Sequence, residues 1–237
     1  MLTLFSMLGI MRVMPSTTPS QTGSIELIGG HPGLDLVNTV SWRHDADRWR
    51  ENLAVPLDLL TWAYRAAILD QHHLTAMRLA IAEDAETGER VLRQVHRLRE
   101  QLYHHLADRI DHPGGEQRIR DGSPLHRAFA DAVTASSLTG TPAWWTLDVR
   151  GLPDITPVLA LHALDLLQTM PPDRLRRCDD DGCGWLFLDR TRNHSRRWCS
   201  SRDCGNRDRA RRHYAHNRTT ARGDASSPIG MGTELTA

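Results

Sequence analysis

The chain contains no lysine: all 29 of its cationic side chains are arginine, set against 29 carboxylates, so the formal net charge is zero. Codon bias in a GC-rich genome produces arginine everywhere alike, so its presence says little and its distribution says more. Cysteine is scarce too, and all four residues lie between Cys178 and Cys204. No apolar run approaches the roughly 20 residues that a bilayer-crossing helix needs, which excludes such a span. The apolar start from Met1 to Met11 has no basic segment before it and only Arg12 after it, so it does not read as an export signal. No fixed-period repeat, nucleophile motif or phosphate-binding glycine loop is present, which argues against a solenoid and against an enzyme.

What is there is concentrated. The cysteines form two pairs of identical spacing, Cys178-x4-Cys183 and Cys199-x4-Cys204, with fifteen residues between the pairs. Four thiolates can close a tetrahedron around one Zn²⁺ at roughly 2.3 Å each, and a pair a few residues apart wraps the ion from one side. Disulfides would need an oxidising compartment, so one structural Zn²⁺ on Cys178, Cys183, Cys199 and Cys204 is the expectation. From Met1 to Asp173 there are 15 arginines against 21 acids, whereas from Arg174 to Arg222 there are 14 against 6. Metal and positive charge coincide, as they would in a nucleic-acid-binding zinc module.

The hydrophobic pattern predicts a mainly α protein. A helical first domain with a small β element spans 25–170, and a treble-clef or zinc-ribbon-like finger spans 174–218. A Ser/Thr/Pro-rich leader over 1–24 and a tail over 219–237 read as disordered, and Met7, Met11 and Met14 offer alternative starts. The first helix is expected over 34–42, followed by an irregular charged connection to Pro56. Leu57, Leu60, Tyr64 and Ala67 then recur at helical spacing, as do Leu74, Met77 and Ile81 after an N-capping Asp70. The stripe Val91, Val95, Leu98, Leu102 and Leu106 marks a long amphipathic helix, Ser123-Pro124 opens the next, and 143–150 alternates as a strand. An apolar helix over 158–170 ends at Pro171-Pro172-Asp173, where the finger begins. Inside the finger, a strand at 185–188 should return through 196–198, and a helix should run from Cys204 to about His216. Its core holds little beyond Trp185, Phe187, Trp198 and Tyr214, so metal binding must supply the folding energy.

Arg190, Arg192, Arg196 and Arg197 flank the finger's turn, and Arg207, Arg211 and Arg212 populate its helix, with Arg207 and Arg211 near one face. Such a cluster would neutralise phosphates, while Asn193 and Asn206 could hydrogen-bond bases or backbone. A solvated surface, or docking against the acidic first domain, would use the same arginines. In the first helix, Asp35, Asn38 and Thr39 either line a ligand pocket or fix a buried polar contact.

The finger sequences Cys183-Gly-Trp-Leu-Phe-Leu-Asp-Arg-Thr-Arg-Asn193, Arg196-Arg-Trp-Cys199 and Cys204-Gly-Asn-Arg207 resemble the CGNR zinc-finger family of bacterial proteins. Leu34-Asp-Leu-Val-Asn-Thr39 resembles the ABATE domain that accompanies this finger, a family to which stress-induced transcription regulation is ascribed. The resemblance implies a zinc-dependent DNA-binding regulator; with no membrane span or export signal it is expected to be cytoplasmic, nucleoid-associated when bound, and its helical domain is read as sensing a small-molecule effector or a partner, or forming a homodimer. RNA binding or protein interaction through the same finger is the alternative.

Overall fold

The computed structural model describes residues 25–115 and 118–224, with side chains as far as Ala215; the leader over 1–24 and the stretch 225–237 lie outside the described residues. Helix α1 (Pro32–Val37) starts where Pro32 fixes the first helical position and the His31 ring accepts from the Gly33 N–H. It is shorter than the expected 34–42. Asn38 ends it, and Val40–Ser41 leave as strand β1 to pair antiparallel with β2 (Arg50–Glu51). The charged connection therefore contains a hairpin, whose two-residue strands are too short to show a period in sequence.

Helix α2 (Pro56–Arg65) turns Leu59, Leu60, Trp62 and Ala63 inward, leaving Leu57 and Tyr64 exposed, so its buried face is rotated from the expected stripe. Asp70 caps α3 (Gln71–Glu83), accepting from the His73 N–H. The long helix α4 (Ala85–Asp111) buries the predicted Val91, Val95, Leu98, Leu102 and Leu106, and α5 (Pro124–Thr134) starts at the Ser123 cap. Strands β3 (Ser137–Thr139) and β4 (Trp144–Thr146) form an antiparallel hairpin, with Leu138 opposite Trp145. Helix α6 (Ile155–Thr169) packs against α1, α4 and α5.

The largest departure from expectation is in the finger. Strand β6 (Leu186–Leu188) pairs with β5 (Leu175–Arg177), upstream of the first knuckle, and not with 196–198. The return segment is held otherwise: the Arg196 N–H donates to Asp189 Oδ2, and the Arg197 carbonyl accepts from the Asp179 N–H. Because β5 and β6 bury Leu175, Leu186 and Leu188 in the same core as Leu34 and Leu166, Pro171-Pro172-Asp173 marks a change of charge and no break in the core. Helix α7 (Cys204–Asp224) runs past the expected end at His216, since no glycine or proline interrupts it between Gly205 and Gly223. Tyr214, expected in the finger's core, is exposed on it.

Candidate metal centre and nucleic-acid interface

Cys178 follows β5, Cys183 precedes β6, Cys199 lies in the return loop and Cys204 opens α7. All four are buried and their sulfurs lie within 4.8 Å of one another. Cys183 Sγ is 3.7 Å from Cys199 Sγ, which is 3.4 Å from Cys204 Sγ. A tetrahedron with bonds of roughly 2.3 Å has edges of about 3.8 Å, so the donor set and its size fit one structural Zn²⁺. Hydrogen bonds among the sulfurs pull the Cys178 thiol down and push Cys183 and Cys199 up.

The first knuckle is seated on the helical domain. The N–H groups of Arg43 and His44 donate to the carbonyls of Cys183 (3.2 Å) and Gly182 (3.3 Å). Gly184 has φ +72°, and a Cβ there would lie 2.8 Å from Arg43 Cβ, so this close approach needs glycine. Asn38 binds both backbone groups of Leu186, its Nδ2 donating to the carbonyl at 2.8 Å and its Oδ1 accepting the N–H at 2.9 Å. Trp185 Nε1 donates to the Val40 carbonyl at 2.8 Å.

Two arginines are spent on holding the centre. Arg196 donates to the carbonyls of Trp198, Ile28 and Cys199 and lies 4.0 Å above the Phe187 ring. Arg207 donates to Cys204 Sγ, to Asp203 and to the buried Asp180, and sits 4.3 Å above the Trp42 ring. Burial alone would lower the pKa of Arg207; Cys204 and the two carboxylates outweigh it and raise the value further.

Residues 30–170 match the family model of ABATE, described as a "putative stress-induced transcription regulator", and residues 174–217 match that of the CGNR zinc finger. The chain belongs to the ABATE family. Its ABATE domain is followed directly by the CGNR finger that holds the zinc site. No curated protein matches the chain.

The remaining finger arginines point elsewhere. Arg211 reaches only to within 3.7 Å of Asp180. Arg209 donates to Asn206 Oδ1 and the Ser201 carbonyl, and Arg212 pairs with Asp208, all near the helix surface. On the loop, Arg190 donates to the Gly30 carbonyl and Arg197 pairs with Asp179, while Arg192 and Asn193 are exposed with no ion pair or hydrogen bond among the described residues. Arg207 therefore stands on the metal side of α7, with the exposed Arg211 at its border. They stand three and seven residues after a buried ligand, Cys204, a spacing that already turns them towards that side in the sequence. Asn206, Arg209, Arg211, Arg212 and His213 are all exposed on α7.

Within the ABATE domain, Asp35, Asn38 and Thr39 are buried and make hydrogen bonds inside the fold. Asp35 accepts from the Gly29 N–H at 2.8 Å; its burial pushes the carboxyl up, partly offset by that bond. Thr39 Oγ1 donates to the Leu36 carbonyl and accepts from Arg99. Arg99 is buried and pairs through two nitrogens with Glu51, and Glu100 bridges it to Arg43. Sequence periodicity missed this cluster, because it marks the apolar stripe of α4 and says nothing of the partners that its charged residues find elsewhere in the chain.

Proposed function

We propose that this ABATE–CGNR protein is a zinc-dependent DNA-binding transcriptional regulator, acting in the cytoplasm at the nucleoid, with the finger on DNA and the ABATE domain sensing a ligand or partner. The observation that carries the reading is the segregation of charge, 14 arginines against 6 acids over 174–222, on a finger in which Arg196 and Arg207 contact the metal ligands. Arg190, Arg192 and Arg197 on the loop, with Arg209 and Arg212 on α7, are the phosphate contacts in this reading; Asn193 and Asn206 supply hydrogen bonds. Arg211 borders the same surface.

Four thiolates fill the zinc tetrahedron and leave no position for water, which supports a structural metal in a regulator. One short finger reads few bases, so a homodimer on an inverted repeat is part of the proposal. Selection of duplex DNA from a random pool by the zinc-loaded protein, repeated after chelation, tests it. An enriched sequence that vanishes with the metal supports a DNA reader; salt-sensitive binding with no enriched sequence moves the assignment to RNA or a protein partner.

A further inference from the structure

Beneath the β3–β4 hairpin lies a cleft of about 470 Å³ that no part of the finger touches. That size falls within the roughly 300–1,000 Å³ typical of small-molecule sites. One wall is the hairpin, with Leu138, Trp144 and Trp145; the other is α6, with Leu161, His162 and Asp165. We infer that this cleft binds a neutral, planar aromatic molecule carrying one N–H or O–H donor, and that it is the sensing site of the ABATE domain. The inference rests on the reading of that domain as a sensor.

Three observations select the ligand class. The indoles of Trp144 and Trp145 are 51% and 39% exposed and offer faces on which a flat ring can stack. No arginine lines the cleft, in a chain with 29 of them, and its one carboxylate is Asp165, so an anion would meet repulsion and no counter-charge. The His162 ring, half-buried at the cleft wall, has no hydrogen-bond partner among the described residues. Burial, and His31 nearby, lower its pKa against the opposing pull of Asp165, and its neutral ring offers a nitrogen able to accept from a ligand donor. The hairpin that covers the site has three residues per strand and no charge from Ser136 to Leu147. So short a pair is marginal by itself, and its seating depends on what lies beneath it.

The cleft is also connected to the metal centre by fixed contacts. Asp165 accepts from His31 Nε2 at 2.8 Å, and His31 Nδ1 caps α1 by accepting from the Gly33 N–H at 3.1 Å. A Cβ on Gly33 would come within 3.2 Å of Leu166 and 3.3 Å of the His162 carbonyl, so α1 rests directly on α6. At its other end, Asn38 holds the Leu186 backbone, three residues from Cys183. A ligand that displaces Asp165 acts on α1 and through it on the finger.

Calorimetric titration of the zinc-loaded full chain with 2-naphthol, naphthalene and 2-naphthoate tests the site. We expect saturable binding of one 2-naphthol per chain, with 2-naphthoate weaker by about tenfold or more, equivalent to about 1.4 kcal/mol. Trp145→Ala should weaken 2-naphthol by about tenfold. His162→Leu, which keeps the volume but removes the acceptor, should reduce 2-naphthol to the affinity of naphthalene, a ratio that a merely structural change would leave intact. Absence of saturable 2-naphthol binding overturns the site, as does binding unchanged in both Trp145→Ala and a cleft-filling Val158→Trp. The affinity for selected DNA, with and without saturating 2-naphthol, is a separate arm. Ligand binding with unaltered DNA affinity overturns the coupling, whereas a protein that selects no DNA refutes the regulator reading and leaves the titration result standing.

Discussion

Replacing Asn38 by alanine should loosen the finger and the helical domain together. Asn38 is buried, and its amide satisfies both the N–H and the carbonyl of Leu186, a residue with no exposed surface. Alanine leaves two buried backbone groups without partners, at about 1–3 kcal/mol each, so a loss of about 3–4 kcal/mol is expected. For a domain of this size each kcal/mol shifts the melting midpoint by about 2–4 °C, which gives a fall of about 10 °C. Far-UV circular dichroism reads the helices, and zinc release to a chromogenic chelator reads the finger. Because Leu186 packs in the helical core while Cys183 lies three residues away, both signals should move in concert. A shift below about 2 °C, or faster zinc release with an unchanged helical melt, would refute the view that the two parts share one core.

Other consequences follow from the same contacts. Arg196→Ala removes donors to three carbonyls and the stack on Phe187, so it should cost about 3 kcal/mol and speed zinc release, leaving the salt slope of DNA binding unchanged. Cys199→Ser should lose the metal and also lower the midpoint of the helical domain, because β5 and β6 contribute to its core; an unaltered helical melt would contradict this. Burial acts to raise the pKa of Glu100, but Arg43 and Arg99 outweigh it and the net value falls below 4.5. A carboxylate depressed in the fold stabilises it above the unfolded pKa, and that stability is lost as pH drops through the folded value. The stability difference between wild type and Glu100→Gln should therefore shrink below about pH 4.5; a pH-independent difference would rule the network out.

Much of this architecture is legible in the sequence where local signals suffice. Asp70, Ser123 and the α4 stripe set their helices through capping and period, and the cysteine spacing alone defines the metal ligands. What escapes is decided by contacts distant in sequence. Asn38 reads as a helical residue, yet it ends α1 because its amide is taken by Leu186, 148 positions away. The partner of β6 is Leu175–Arg177, since the segment 196–198 is captured by the Asp189 carboxylate and the Asp179 N–H, neither visible as a pattern. Arg196 and Arg207 look like surface charge in composition, and only their neighbours reveal them as supports of the zinc centre.

The central claim is that the exposed arginines of α7 meet phosphate while Arg207 serves the metal. DNA affinity measured against salt, for wild type and for Arg209→Ala/Arg212→Ala, tests it most directly. Each lost phosphate contact flattens the slope of log K against log salt by about 0.9, so the double variant should lose about 1.8 while retaining its zinc. An unchanged slope in a zinc-loaded variant would contradict the account.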